Sequence, residues 1–396
     1  MKKEEKKEVT TGFRYRLREF KAGMGPAIKE LKFTLRRIRQ SPLSIVGIII
    51  IAIFAGIAIL APIIAPPVMR DPYRIFRDGF GMEPRPPGSP VSEPIAREKG
   101  WTVHYFGTAQ GQYDIFYGCI WGTRTAFRIG VLVVAISLII GILLGSVSGY
   151  YGGIIDEILM RFTDVILAFP GLILAMALVI ALPLMWEVDV GLIFLIAAAF
   201  LTPVIILRVR HMGGLGVLIG LVAALAITAY KFTIGLSPIW VWSLQLSRLD
   251  KVLIALALVG WPSYTRVIRS EVLRVKQEDY VEAAKAIGCS DFRIITKHIL
   301  PNAIYSVIIM ATLDIGAIVL TAAALSFLGI GAPEGYADWG QMISYARNWI
   351  FAGIENPWQY WYTFTIPGIF IFTFVLGWNL LGDAFRDILD PTLRRR

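Results

Sequence analysis

The chain has 396 residues, 56% of them hydrophobic, with a mean hydropathy of +0.63 and only 17% charged residues. A soluble globular protein carries about 25% charged residues, so this composition excludes one. The net charge of +10 does not indicate a nucleic-acid binder, because no module interleaves aromatic and basic residues for that purpose. Lys and Arg instead gather between apolar runs, as the positive-inside rule requires.

Several apolar runs reach the roughly 18–20 residues that carry a helix across a ~30 Å hydrocarbon core. Lipid offers backbone groups no hydrogen-bond partners, so helices are the spanning element. The fold class is therefore an all-α polytopic membrane protein. Residues 1–43 form a basic N-terminal segment: 1–12 read as a charged disordered tail, and 13–40 mix cations with Phe, Tyr, Leu and Ile. Those residues fit a membrane-surface helix or a plain basic tail equally well. Arg36, Arg37 and Arg39 precede the first apolar run, 44–64, which places the N-terminus in the cytoplasm. No cleavable signal peptide is evident, since this first run is long enough to span.

A Pro- and Gly-rich stretch over 65–120 reads as an ordered but irregular external loop. The core of the chain then covers 121–390. It opens with a span at about 126–148, a short turn through GYYGGIIDEILMRFTD and a third span at about 165–184. Two further runs, 191–207 and 213–230, flank the basic turn RVRHMG and form a hairpin inside an inserted segment at 185–250. Trp240 and Trp242, in the external stretch 231–250, suit an aromatic belt. Spans at about 252–268, 301–328 and 362–381 follow, and the Arg-rich tail 391–396 returns to the cytoplasm. The count is about eight crossings.

Between two of these spans lies a polar, cytoplasmic segment, 270–301, containing EAAKAIGCSDFRIITKHILPN. Chemically it is a pair of short helices. Glu278, Asp279 and Glu282 favour the start of the first, and Gly288 is a natural left-handed terminator. Ser290 or Asp291 can cap the second helix, which runs on to Pro301. Ala283, Ala284 and Gly288 keep one side small, so that another protein surface can approach. Tyr280, Ala284 and Ile287 share one face, and Phe292, Ile295 and Ile299 form an apolar stripe.

The spacing Glu282-Ala283-Ala284, Gly288, Leu300-Pro301 resembles the EAA motif of permease subunits of ATP-binding-cassette importers, with His298 where that motif carries Ile. KHILPN, the N-terminal RRIRQSPLSIVGIII, and the stretches GYYGGIIDEILMRFTDVILAFPGLILA, SFLGIGAPEGYADWGQMI and NLLGDAFRDILDP are similar to the oligopeptide/dipeptide branch. HYFGTAQGQYDIF resembles an external motif of that branch, with Ala109, Gln112 and Tyr113 in place of Asp, Gly and Arg. The resemblance implies a core of six spans, so the hairpin of 185–250 is extra. It also implies that Glu282, Ala283, Ala284, Gly288, Leu300 and Pro301 belong to a coupling loop that docks on a cytoplasmic ATPase. The implied partners are a second permease subunit (a heterodimer), two ATP-binding-cassette ATPase subunits and an external substrate-binding protein, all set in the lipid bilayer. Relatives of the branch also move nickel complexes or oligosaccharides.

The chain contains no Gly-Lys dipeptide and hence no phosphate-binding P-loop. It is expected to carry no cofactor and to be no enzyme, with ATP and Mg used by its partners. His104, His211 and His298 fall in different places, so no metal site is expected from them. Among intramembrane carboxylates, Asp164 is expected to pair with Arg161. Asp314 either faces the translocation path or bonds to a neighbouring helix. A stand-alone secondary transporter is the competing class, and it would not need the EAA segment.

Overall fold

A computed structural model describes residues 42–183, 185–189, 222, 241–350 and 358–389. Residues 1–41 of the expected N-terminal segment, the span 191–207, the span 213–230 except residue 222, and the tail 391–396 lie outside the described residues. The chain divides into two compact units, one made of residues 1–179 and 252–396 and the other of 180–251.

In the larger unit the long helices are α1 (Pro42–Ile64), α3 (Ile115–Tyr151), α6 (Arg248–Val275), α10 (Tyr305–Phe327) and α12 (Tyr362–Leu389). These five are long and apolar enough to cross a membrane, by length and composition. The short helices are α2 (Pro94–Glu98), α4 (Gly153–Leu167), α5 (Gly171–Ala181), α7 (Asp279–Ala286), α8 (Asp291–Ile294), α9 (Leu300–Ala303) and α11 (Trp339–Ala346). Helix α10 packs on α12 and α3, and α12 packs on α1.

The third span differs from expectation. GIIDEILMRFTDVIL is helix α4 rather than a turn, and it meets α5 at a 91° bend. Four ionisable residues, Asp156, Glu157, Arg161 and Asp164, break the apolar run that sequence reading searched for. Pro170 then disfavours helix in the residue before it and forces the bend. With this bent pair counted as one span, the described residues hold up to six.

Helices α3 and α6 approach along a seam of glycines. A Cβ on Gly145 would sit 2.6 Å from the Thr265 carbonyl oxygen, and one on Gly149 would sit 2.9 Å from Val272 Cγ1. Gly141 meets the same helix at Tyr264. Small residues four apart let two backbones close where lipid supplies no hydrophobic drive.

The stretch between α1 and α3 is packed, not a linker. Ile75, Phe76, Val91 and Trp101 are buried, and a short antiparallel pair, β1 (Ser89–Pro90) with β2 (Val103–His104), ties it together. Helix α11 breaks up the expected external loop after α10, and its Trp339 is buried against Phe54, Phe370 and Phe374.

In the smaller unit, β3 (Met185–Asp189) pairs antiparallel with β4 (Val241–Gln245), in register Met185↔Gln245 through Asp189↔Val241. Within the stretch expected as an external aromatic-bearing loop, residues 241–245 are thus a strand paired with the start of the inserted segment.

Candidate functional site

The polar segment folds as two short helices outside the long spans. Helix α7 starts with Asp279 and Glu282 in its first turn, where carboxylates complement the helix dipole. It ends in a Schellman motif: Gly288 N–H donates to the Lys285 carbonyl at 2.9 Å and Cys289 N–H to the Ala284 carbonyl at 3.1 Å. Gly288 adopts φ +81° with nothing near its absent Cβ. Conformation, not space, therefore requires glycine there.

Ser290 takes the N-cap position of α8, yet its side chain makes no capping bond. Asp291 does not cap either: its Oδ1 accepts the Tyr150 hydroxyl at 2.7 Å. The second helix is not uniform. After α8 the backbone widens into a π-turn over Ile295–Ile299 before α9. Pro301, in the first turn of α9, has no N–H for the carbonyl four residues back and crowds the preceding turn.

Among the expected motif residues, Glu282 and Ala283 are exposed, Ala284 is buried, Gly288 and Pro301 are exposed and Leu300 is half-buried. Neither proposed stripe holds as a single face. Ala284 turns inward with Val281, Ile294, Ile299 and Ala303, whereas Ile287 is 80% and Phe292 78% exposed. The inward set anchors the helix pair and leaves Ile287 and Phe292, on either side of the Gly288 turn, as an apolar tip. His298 sits half-buried in the π-turn, where its carbonyl accepts a bond from Asn302.

Asp314 lies half-buried on α10, away from this segment. It interacts with the Tyr264 hydroxyl of α6, in a geometry short of a full hydrogen bond. Asp164 does not pair with Arg161. Arg161 bonds Glu157 one turn back at 2.6 Å, the favoured acid-before-base order on a helix. Asp164 instead pairs with Arg266 of α6 at 2.5 Å. Both Cys119 and Cys289 are free thiols, and no metal-holding cluster occurs among the described residues.

Sequence reasoning missed a buried ionic cluster at the opposite end of α3. His104 Nδ1 lies 2.6 Å from Asp114 Oδ2, and its Nε2 lies 3.1 Å from Asp78 Oδ2. Asp78 also accepts from Arg85 at 2.6 Å, from Ser92 N–H at 2.7 Å and from Glu93 N–H at 2.5 Å. Burial opposes charge on His104, but bonding to Asp114 and that carboxylate's field, reinforced by Asp78, prevail and raise its pKa. Burial likewise opposes ionised Asp78. The Ser92 N–H, the His104 ring and the Glu93 N–H outweigh it and lower its pKa. The signal was within HYFGTAQGQYDIF, which holds both His104 and Asp114. Gln112, in the same stretch, adopts φ +62° where the resembling motif has glycine. Its amide donates to the Glu83 carbonyl at 2.5 Å, which holds that conformation.

The described residues thus form a bundle of long apolar helices with a polar helix pair set outside it, the architecture of a multi-span membrane protein. Residues 141–395 match the family described as binding-protein-dependent transport system inner membrane component, and residues 31–78 match the N-terminal TM domain of oligopeptide transport permease C. The chain belongs to the former family, whose members are non-catalytic membrane subunits of ATP-binding-cassette transporters, and it is a multi-pass inner-membrane protein. It is 31% identical over 368 residues, 93% of this chain and 92% of the relative, to a dipeptide transport system permease protein of Alkalihalophilus pseudofirmus. It is 29% identical to an oligopeptide transport system permease protein of Bacillus subtilis, across 92% of this chain and 90% of that one. A probable D,D-dipeptide transport system permease protein of Escherichia coli is 33% identical over 73% of this chain and 74% of its own length. The stand-alone transporter reading is thereby set aside.

Proposed function

We propose that this chain is one transmembrane subunit of a peptide importer powered by separate ATPase subunits, which dock on the tip formed by Ile287 and Phe292. The observation that carries the docking role is that tip: two large apolar side chains left exposed, on a helix pair whose other face is firmly buried. A glycine-terminated turn sets its shape, and the motif residues Glu282, Ala283, Ala284, Gly288, Leu300 and Pro301 frame it. Peptide cargo is supported by the names of the relatives, which are dipeptide and oligopeptide permeases. The assembly comprises a second permease, two ATPases that use ATP and Mg, and an external substrate-binding protein, with both termini of this chain in the cytoplasm.

Purification of the assembly from its native membrane tests this reading. Co-purifying ATPases and a peptide identified by mass spectrometry are the expected result. A nickel complex or an oligosaccharide in its place would overturn the peptide assignment. Asp314, between α6 and α10, is the candidate contact for a peptide amine; unchanged peptide uptake by Asp314→Asn would remove it from the path.

A further inference from the structure

The last residues of α3 meet the candidate coupling segment at one side chain. Tyr150 is buried and touches three separate parts of that segment. Its hydroxyl donates to Asp291 Oδ1, at the start of α8, at 2.7 Å. Its carbonyl accepts from Lys276 Nζ, just after α6, at 2.5 Å. Lys276 Nζ also lies 5.5 Å from the ring centroid, and Lys285 Nζ of α7 lies 5.8 Å from it. Cation–π attraction at such distances adds to the hold.

The other side of Tyr150 is equally constrained. The chain turns sharply through Gly152 and Gly153, both at positive φ. Asp156, just beyond, receives Ser148 and a two-pronged bond from Arg269 of α6, at 2.5 Å on each oxygen. The end of α3, the start of α4 and the end of α6 are thus locked together. The only side-chain hydrogen bond found between this lock and α8, among the described residues, is that of the Tyr150 hydroxyl.

We propose that Tyr150 is a positioning residue that transmits displacement of the coupling helices to α3. This rests on the docking role proposed above and deepens it. Besides the apolar packing of Val281, Ala284, Ile294 and Ile299 and the chain itself through α6 and α9, the Tyr150 hydroxyl gives a push on α8 a directed polar route to α3. With it, the push acts directly on α3, a helix of 37 residues and hence about 55 Å long. At its far end stands the Asp114–His104 cluster, so one rigid rod links the polar segment to the opposite end of the bundle.

The test compares amide hydrogen exchange in the assembled transporter before and after trapping with ATP and vanadate, for the wild type, Tyr150→Phe, Asp291→Asn and the double variant. Phenylalanine keeps the ring and both lysine contacts, so only the strut is lost. In the wild type, trapping should change exchange across residues 279–299 and in the last turns of α3. In Tyr150→Phe the loop should still respond while the α3 response falls roughly fivefold, the equilibrium worth of one hydrogen bond. Asp291→Asn should do the same, and the double variant should be no worse than either alone. An undiminished α3 response in Tyr150→Phe, or additive losses, would overturn the strut while leaving the docking role intact. A fall in melting temperature that accounts for the loss would show a merely structural bond and likewise overturn it. A wild-type loop that does not respond to trapping would overturn both proposals.

Discussion

Asp114 serves His104 and its own helix at once. One carboxylate oxygen lies 2.6 Å from His104 Nδ1, while the other accepts the Tyr117 N–H at 2.6 Å and caps α3. Both side chains are fully buried. Asp114→Ala therefore removes a helix cap and leaves His104 facing Asp78 alone. A loss of about 3 kcal/mol is expected, measured by thermal unfolding of the purified assembly, with Asp114→Asn milder because it keeps the cap acceptor.

The same cluster sets a pH dependence. His104 has a raised pKa in the folded state, so its contribution is fully present below the unfolded value of about 6.5. It is lost as pH rises through the raised folded value. Asp78, with a lowered pKa, contributes above the ordinary carboxylate value and loses that contribution as pH falls through its lowered one. Limited proteolysis of residues 74–114 should accelerate on the alkaline side of the His104 transition. His104→Gln should abolish that step and weaken the acid limb without removing it, because the His104 ring shares with the Ser92 and Glu93 N–H groups in holding the Asp78 pKa down.

The α3–α6 seam predicts a steric failure. Gly145→Val would press a branched side chain against the Thr265 backbone, only 2.6 Å from where Cβ must go. Separation of the helices should cost about 1–3 kcal/mol. The readout is a lower melting temperature of the assembly, with Gly145→Ala intermediate.

Gly288 predicts a graded series. Its φ of +81° and open surroundings mean that a side chain costs only conformational energy, roughly 1–2 kcal/mol for an ordinary residue. Asn tolerates this region best. Retention of the ATPases should therefore fall in the order Gly288, Gly288→Asn, Gly288→Ala, Gly288→Val, measured by co-purification. A flat series would show that the turn does not shape the docking tip.

Much of the bundle was legible because continuous apolar runs announce spans. Helices α1, α3, α6, α10 and α12 were found in this way, although α3 begins well before its apolar run. Helix α4 was hidden because Asp156, Glu157, Arg161 and Asp164 interrupt hydropathy without interrupting helix. The Gly288 turn was legible because a left-handed terminator has a local chemical signature. What Asp291 does was not: its partner, Tyr150, lies 141 residues away, and no local periodicity encodes such a contact. The same holds for Asp78, Arg85, His104 and Asp114, which read singly as loop polarity and only together as a buried ionic cluster. The stripes drawn through Tyr280, Ala284 and Ile287 failed for a related reason. Helical spacing gives shared faces, but only packing decides which residues of a short helix turn inward.

The docking surface can be tested by charging its tip. Ile287→Asp with Phe292→Asp replaces the two exposed apolar side chains and touches none of the buried anchors Val281, Ala284, Ile294 and Ile299. The measurement is the amount of ATPase that co-purifies with the permease pair, normalised to correctly assembled permease. Loss of the ATPases from a permease that still pairs and melts as the wild type does is the predicted result. Full retention of the ATPases by that double variant would contradict the account.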